Sequence, residues 1–161
     1  MITSKDLTVR WVIRKDLEKI LSIERESPEP SWKEEDFLLA LRQRNVIGVV
    51  AELNFEVVGF QLYKLKPLHF EVIKMTVSSE FSKQGIGGFM VHRLKEKLGA
   101  LLIHKLAIVF KVRETNLQIQ LFLQGRGFIC DKIVKGYYEP TTSEAMYRMI
   151  YSISEAFEYE D

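Results

Sequence analysis

The residues with the clearest capacity for chemistry are Phe81-Ser82-Lys83-Gln84-Gly85-Ile86-Gly87-Gly88. An apolar stretch ending at Val77 leads into them through a short polar loop, and an apolar-periodic stretch follows. Glycine has no Cβ, so backbone N–H groups can come close to an anion. A helix start adds donors with no partner inside the helix and a partial positive charge. A diphosphate suits such a cradle. Two phosphate patterns fail on inspection. A dinucleotide fingerprint needs a glycine where Met90 stands, and a Walker loop needs a Gly-Lys-Ser/Thr string that does not occur. Glycines at a helix start also make an ordinary turn, so the loop needs a second signature.

That signature lies downstream in Phe110-Lys111-Val112-Arg113-Glu114-Thr115-Asn116, Leu121-Phe122-Leu123 and Gly127-Phe128. Together the two segments resemble the GNAT N-acetyltransferase family. Its loop reads Q/R-x-x-G-x-G/A, and its second signature reads Val-Arg-x-x-Asn followed by a tyrosine and Gly-Phe. Ser82 departs from the Gln or Arg of the first position. Glu24-Arg25-Glu26 with Trp32, and Tyr137-Tyr138-Glu139-Pro140-Thr141-Thr142, are most similar to the RimI type, which acetylates the N-terminus of a small-subunit ribosomal protein.

The resemblance covers nearly the whole chain. It implies an α/β fold with a mixed, centrally splayed β-sheet and helices on both faces, acetyl-CoA as co-substrate, and no metal. Carried over by position, Met75, Thr76 and Val77 would meet the cofactor at a strand end. Lys83, Gln84, Gly85, Ile86, Gly87 and Gly88 would hold the diphosphate. Asn116 would meet the pantetheine arm and can also cap a helix. Trp32 and Tyr137 would line the acceptor site. Core packing is the competing role for Met75 and Val77, and edge-strand packing for Tyr137 and Tyr138.

The catalytic pattern departs from the family at two places. The RimI type carries a glutamate base where Lys111 stands and a tyrosine acid where Leu123 stands. A related eukaryotic N-terminal acetyltransferase type places a base at the position of Glu71, which by strand parity shares a face with Met75. Glu71 is equally placed to pair with Lys111 as a surface carboxylate. Tyr138 would order a water or the substrate backbone, so Glu71 and Tyr138 are the expected catalytic residues. An α-amino group, with pKa about 8, is roughly one-tenth neutral at pH 7, whereas a lysine amine is neutral to a few parts in ten thousand. Loss of a strong base is tolerable for the first and severe for the second. The expected acceptor is therefore the α-amino terminus of a protein or peptide, a ribosomal protein among the candidates. A small-molecule amine and a catalytically weak acyl-CoA-binding module are the alternatives.

Several elements must position these residues. Leu7–Ile13 alternates as a strand. Lys15–Glu26 carries Leu17, Ile20 and Leu21 at helical spacing, and Pro28 and Pro30 end it. Ser31-Trp32-Lys33-Glu34 reads as a capping box that opens a helix running to Arg44 with Phe37, Leu38 and Leu41 inward. Val46–Leu53 and Glu56–Leu65 form a hairpin about Asn54-Phe55. Phe70–Val77 is a strand. The helix from Gly85 turns Phe89, Met90, Leu94 and Leu98 inward. Lys105–Val112 is a strand, Leu117–Gln124 a helix stopped by Gly125, and Phe128–Lys135 and Ala145–Ile153 the last strands. The order predicts early antiparallel strands and parallel strands around the two later helices.

A chain of 161 residues fits one domain, residues 1–154, with an acidic tail over 155–161. Lys and Arg number 23 against 22 Asp and Glu, a balance that gives no general field for nucleic acid or an anionic membrane. Cys130 is the sole cysteine, which excludes an internal disulfide. His69, His92 and His104 lack ligand spacing. The N-terminal residues, expected to be a solvated end, carry no apolar leader. The apolar runs Val46–Ala51 and Ala100–Ile103 are too short to span a bilayer. These features predict a cytoplasmic protein without nucleic-acid or membrane partners, and leave monomer and homodimer open.

Overall fold

The computed structural model describes residues 6–27, 29–100, 104–139, 141, 143–155 and 157. The expectations for the first five residues, for Pro28 and for most of the tail lie outside them. The elements follow the order β1 (Leu7–Trp11), α1 (Leu17–Glu24), α2 (Glu34–Leu41), β2 (Val46–Leu53), β3 (Glu56–Leu65), β4 (His69–Val77), α3 (Ile86–Lys95), β5 (Ala107–Arg113), α4 (Leu117–Gln124), β6 (Ile129–Lys135) and β7 (Ala145–Ser152). The mixed seven-stranded sheet has the order β1-β2-β3-β4-β5-β7-β6. No helix of the described residues is long and apolar enough to cross a membrane. The chain divides into two compact units, Met1–Leu65 with Ile73–Glu96, and Lys66–Val72 with Lys97–Asp161.

In the first unit β1, β2 and β3 pair antiparallel. Helices α1 and α2 bury Leu17, Ile20, Ile23, Phe37 and Ala40 against Val50, Val57, Phe60 and Leu62 of the sheet. Helix α3 buries Ile86 and Met90 against Leu7, Ala51, Leu53 and Val58 on the other face. Val57 and Val58 are neighbours, yet they face opposite helices as strand alternation requires. Val57 shares its face with Phe60 because the register slips there: Gly59 pairs with Ala51 and Val57 with Glu52, so Val58 is an extra residue. The buried stripe of α1 takes in Glu24, fully buried, beside Ile23.

Helix α2 opens later than the Ser31 capping box predicts. Lys33 is the extended residue before the helix, and its N–H donates to Asp36 Oδ2 at 2.8 Å. Glu34, Glu35 and Asp36 fill the first turn, where the helix dipole favours negative charge.

In the second unit β4 runs parallel to β5 through His69–Val72 and Ala107–Phe110. Strand β7 pairs antiparallel with both β5 and β6. Strands β5 and β6, which flank α4, therefore share a direction as the crossover predicts, but β7 lies between them and they do not pair. Asp131 bulges out of β6 between Cys130 and Lys132, and its carboxylate takes Arg148 of β7 through two bonds of 2.8 Å. Phe128 packs edge-on against Phe110, with centroids 5.5 Å apart, beside the fully buried Leu123. The stop after α4 differs from expectation. Gly125 keeps helical geometry at φ −63, and the left-handed residue is Gly127 at φ 87, with the Phe128 N–H reaching back to Leu123 O at 3.1 Å.

The β2–β3 turn holds Asn54 at φ 49 and Phe55 at φ 68, the left-handed pair of a primed hairpin turn, where glycine is favoured at the second position. Phe55 is 96% exposed and gains no packing in return. Phe55→Gly is expected to stabilise the chain by about 1 kcal/mol and raise the melting temperature by about 2–4 °C. A thermal melt that falls instead would show that the turn is not strained.

Candidate active site

In the first unit β4 ends at Val77, and Ser78 is pinned when its N–H donates to Val58 O at 2.8 Å. A 3-10 turn, Ser79–Phe81, carries the chain to the loop. Lys83 at φ 62 and Gly85 at φ 86 are both left-handed. Gly85 precedes α3, and the first bond of that helix runs from Phe89 N–H to Gly85 O at 2.9 Å. The N–H groups of Ile86, Gly87 and Gly88 come before that first bond, so the helix itself gives them no acceptor. The first turn carries no acidic residue, and a Cβ on Gly85 would meet nothing within 4 Å. Three uncommitted donors, a positive dipole end and open space fit a diphosphate. Ile86 turns its side chain into the core, so of the predicted contacts it offers only its backbone. Lys83 and Gln84 are exposed.

The cradle has an anchor that sequence reasoning missed. Glu26, just past α1, accepts the Ser79 N–H at 2.6 Å. That backbone hydrogen bond holds the Glu26 carboxyl below its ordinary range. Two residues 53 apart in sequence meet here, and no local pattern announces such a contact.

Met75, Thr76 and Val77 occupy the end of β4. Met75 and Val77 pack against the α3 core, and Met75 Sδ accepts from Gln61 Nε2 at 3.4 Å. Ile73 and Lys74, by contrast, both reach toward α1 and α2: Ile73 packs on that cluster and Lys74 Nζ lies 2.6 Å from Glu24 Oε2. Consecutive residues on one side break the alternation.

Trp32 sits in the same group. Its ring meets Phe37 edge-on at 5.2 Å, the Lys74 ammonium lies 5.0 Å above it, and the Trp32 backbone N–H donates to Glu24 Oε2 at 3.3 Å. Glu24 Oε1 is buried with no hydrogen-bond partner among the described residues.

In the second unit Glu71, with 12% of its side chain exposed, pairs with Lys111 at 2.8 Å and lies 3.8 Å from Lys66. The Lys111 ammonium stands 5.8 Å from the Tyr137 ring. Tyr137 meets Tyr138 edge-on at 5.1 Å, and the Arg113 guanidinium stacks 3.9 Å from the Tyr138 ring. Alternate residues of β5 thus each hold one tyrosine of the segment after β6 by a cation–π contact. Both tyrosines lie beyond β6 rather than on its edge. Arg113 is steadied by Glu144 at 2.9 Å. The Thr115 hydroxyl donates to Glu144 at 2.6 Å and, ahead of Arg113, draws the Glu144 carboxyl below its ordinary range. Asn116 caps α4, accepting the Ile119 N–H at 3.2 Å.

This order of elements, with a glycine loop opening a helix after β4 and a capped helix after β5, has a family counterpart. Residues 15–128 match the Acetyltransferase (GNAT) family. The chain belongs to that family. Among solved GNAT-fold structures, it is similar to the ribosomal-protein-S18-alanine N-acetyltransferase from Escherichia coli, with a TM-score of 0.79 at 20% identity over 96% of this chain and 99% of that one. Arabidopsis thaliana NAA60 in complex with acetyl-CoA gives 0.76 at 15% identity, covering 91% and 99%. Spermidine N-acetyltransferase from Vibrio cholerae gives 0.76 at 14% identity, covering 92% and 95%. These likenesses concern the fold. No curated protein sequence matches the chain.

Leu123 and Lys111 stand at the two positions where the resemblance implies an acid and a base. Leu123 is fully buried, so it supplies no acid, and a tyrosine there would have to displace neighbouring core. Lys111 supplies a cation where a base is expected, and that cation is spent on Glu71. Among the described residues no group of three His, Cys, Asp or Glu is placed to hold a metal.

Removing the partner of a buried charge exposes its cost. Lys74→Met should lose about 3 kcal/mol in urea denaturation, and Glu24→Gln/Lys74→Met should recover most of it. Equal losses in both would show that the pair's charge does not matter. His69, 6% exposed, stacks on Phe157 at 5.7 Å. Burial pushes its pKa down to about 4, with Glu71 opposing and Lys66, Lys105 and Lys111 reinforcing. Between about pH 4 and 6.5 the unfolded histidine binds more protons than the folded one. Stability is therefore fully present above 6.5 and falls as the pH drops toward 4, by about 3 kcal/mol. His69→Gln should flatten that slope; an unchanged slope in acid titration of stability would refute the assignment.

Proposed function

We propose that the chain transfers an acetyl group from acetyl-CoA to the α-amino terminus of a protein or peptide, in the manner of the RimI type. The observation that carries this reading is the cradle at Lys83–Gly88, whose donors and open space suit the diphosphate of coenzyme A. Lys83 and Gln84 add polar side chains to the backbone donors, and Met75, Thr76 and Val77 would run beside the pantetheine arm and acyl group. Asn116, whose side-chain oxygen caps α4, would meet the pantetheine arm. Acetyl-CoA supplies the thioester that the amine attacks.

Glu71 and Tyr138 would carry the proton traffic. Glu71 would take the ammonium proton through a water, while Lys111 disfavours the protonated amine by like charge. Tyr138, fixed by Arg113, would orient that water or the acceptor backbone. Trp32 and Tyr137 would contact the acceptor. Weak base strength fits an α-amine, which is already partly neutral near pH 7, better than a lysine. A ribosomal protein in the cytoplasm is the acceptor this reading favours.

The buried Leu123 favours a second reading, a domain that binds acyl-CoA with little turnover. One assay separates the two. Peptides with free and blocked N-termini are incubated with acetyl-CoA and mapped by mass spectrometry. Acetylation at the free α-amine alone is expected, with kcat reduced about 100-fold in Glu71→Gln and acetyl-CoA affinity unchanged. Modification only at internal lysines would overturn the α-amine assignment. Tight calorimetric binding of acetyl-CoA without transfer to any amine would establish the binding module.

A further inference from the structure

The first unit holds a cavity of about 400 Å³ where β1 ends, β2 begins and helices α1 and α2 pack over them. It stands well away from the cradle. The cavity is lined by Val46 and Gly48 at the first end of β2, whereas Ser78, which leads to the cradle, bonds to Val58 beside the far end of β2. About five residues of strand, roughly 15 Å, separate the two levels. The faces differ as well, since the cavity lies under α1 and α2 and the cradle opens α3.

Its walls are apolar: Val12, Leu17, Leu38 and Leu41. Its floor is Gly48, where a Cβ would come 2.7 Å from Leu41 Cδ2 and 3.2 Å from Val12 Cγ2. The volume falls in the range of small-ligand pockets. Two large apolar side chains at the mouth, Trp11 at 74% and Ile13 at 54% exposure, are left in water. One lining residue is charged, Arg14, and none is acidic. Arg14 pairs with no carboxylate among the described residues. The acid two positions on, Asp16, is already taken by Arg10 at 2.8 and 2.9 Å and by the Ile13 N–H at 2.8 Å. An apolar cavity with one uncommitted guanidinium at its mouth is complementary to an alkyl chain that ends in an anion.

We propose that this cavity binds a free medium-chain fatty acid, with the alkyl chain between Leu38, Leu41 and Leu17 and the carboxylate at Arg14. The site does not depend on the acetyl-transfer reading, because it shares no residue with the cradle.

Decanoate below its micellar concentration is the probe, titrated calorimetrically into the full chain. Trp11 emission is followed in parallel in a Trp32→Phe background. The expected result is one decanoate per chain with a saturable Trp11 change, unaffected by saturating coenzyme A. Arg14→Gln should weaken decanoate at least about fivefold, and decanol should bind the unaltered chain weaker by a similar factor. Gly48→Ala drives Leu41 and Val12 into the cavity and should weaken both ligands. Leu38→Trp narrows the opposite wall and gives the same test should Gly48→Ala fail to fold. Absence of saturable binding, equal affinity for decanol and decanoate, or displacement by coenzyme A would each overturn the proposal. So would a Trp11 change seen only with anionic lipid vesicles.

Discussion

Strand β4 must satisfy two environments within nine residues, and the rest of the structure depends on how it does so. Its first four residues ladder onto β5. Its last residues turn Met75 and Val77 toward α3 and deliver the chain to the glycine loop. Between them the alternation breaks at Ile73 and Lys74, and the break sends an ammonium toward α1. The fully buried Glu24 is tolerable only because Lys74 meets it, since an unpaired carboxylate in that core would cost several kcal/mol. A strand irregularity and a buried ion pair are thus one feature, each requiring the other.

The proposed binding and the proposed chemistry draw on different resources in this chain. The cradle is made from backbone N–H groups, left-handed residues and a helix end, so it withstands changes of side chain. Ser82 in place of the family's usual residue leaves those donors intact. The proposed proton transfer depends on side-chain identity, and there the chain departs from the pattern that the resemblance implies. Lys111 stands where that pattern has a base and holds Glu71, while the buried Leu123 stands where it has an acid. The two tyrosines after β6 are fastened by cations two residues apart on β5, which makes Lys111 part of the scaffold as well as of the chemistry.

The same economy explains why the arginines differ in role. Arg10, Arg113 and Arg148 are each committed to carboxylates and fix strands or loops. Among the described residues Arg14 carries no such duty, and it borders the apolar cavity.

Much of this was legible in the residues themselves. The glycine loop, the hairpin at Asn54-Phe55, the Asn116 cap and the run of α4 depend on contacts within a few residues, and their signals are local. The α/β order followed from periodicity for the same reason. What the sequence could not carry were contacts made at long range. The hold of Glu26 on Ser79, the pairing of Glu24 with Lys74 and the insertion of β7 between β5 and β6 join segments far apart in the chain. The turn of both Ile73 and Lys74 toward the same side of β4 lay beyond strand parity, which assumes an unbroken pleat. Helix α2 began late because Asp36 reached back to Lys33 while Glu24 claimed the Trp32 N–H. Local geometry determined the cradle, and tertiary packing decided which side chains surround the chemistry, because only folding sets which distant charges must neutralise one another.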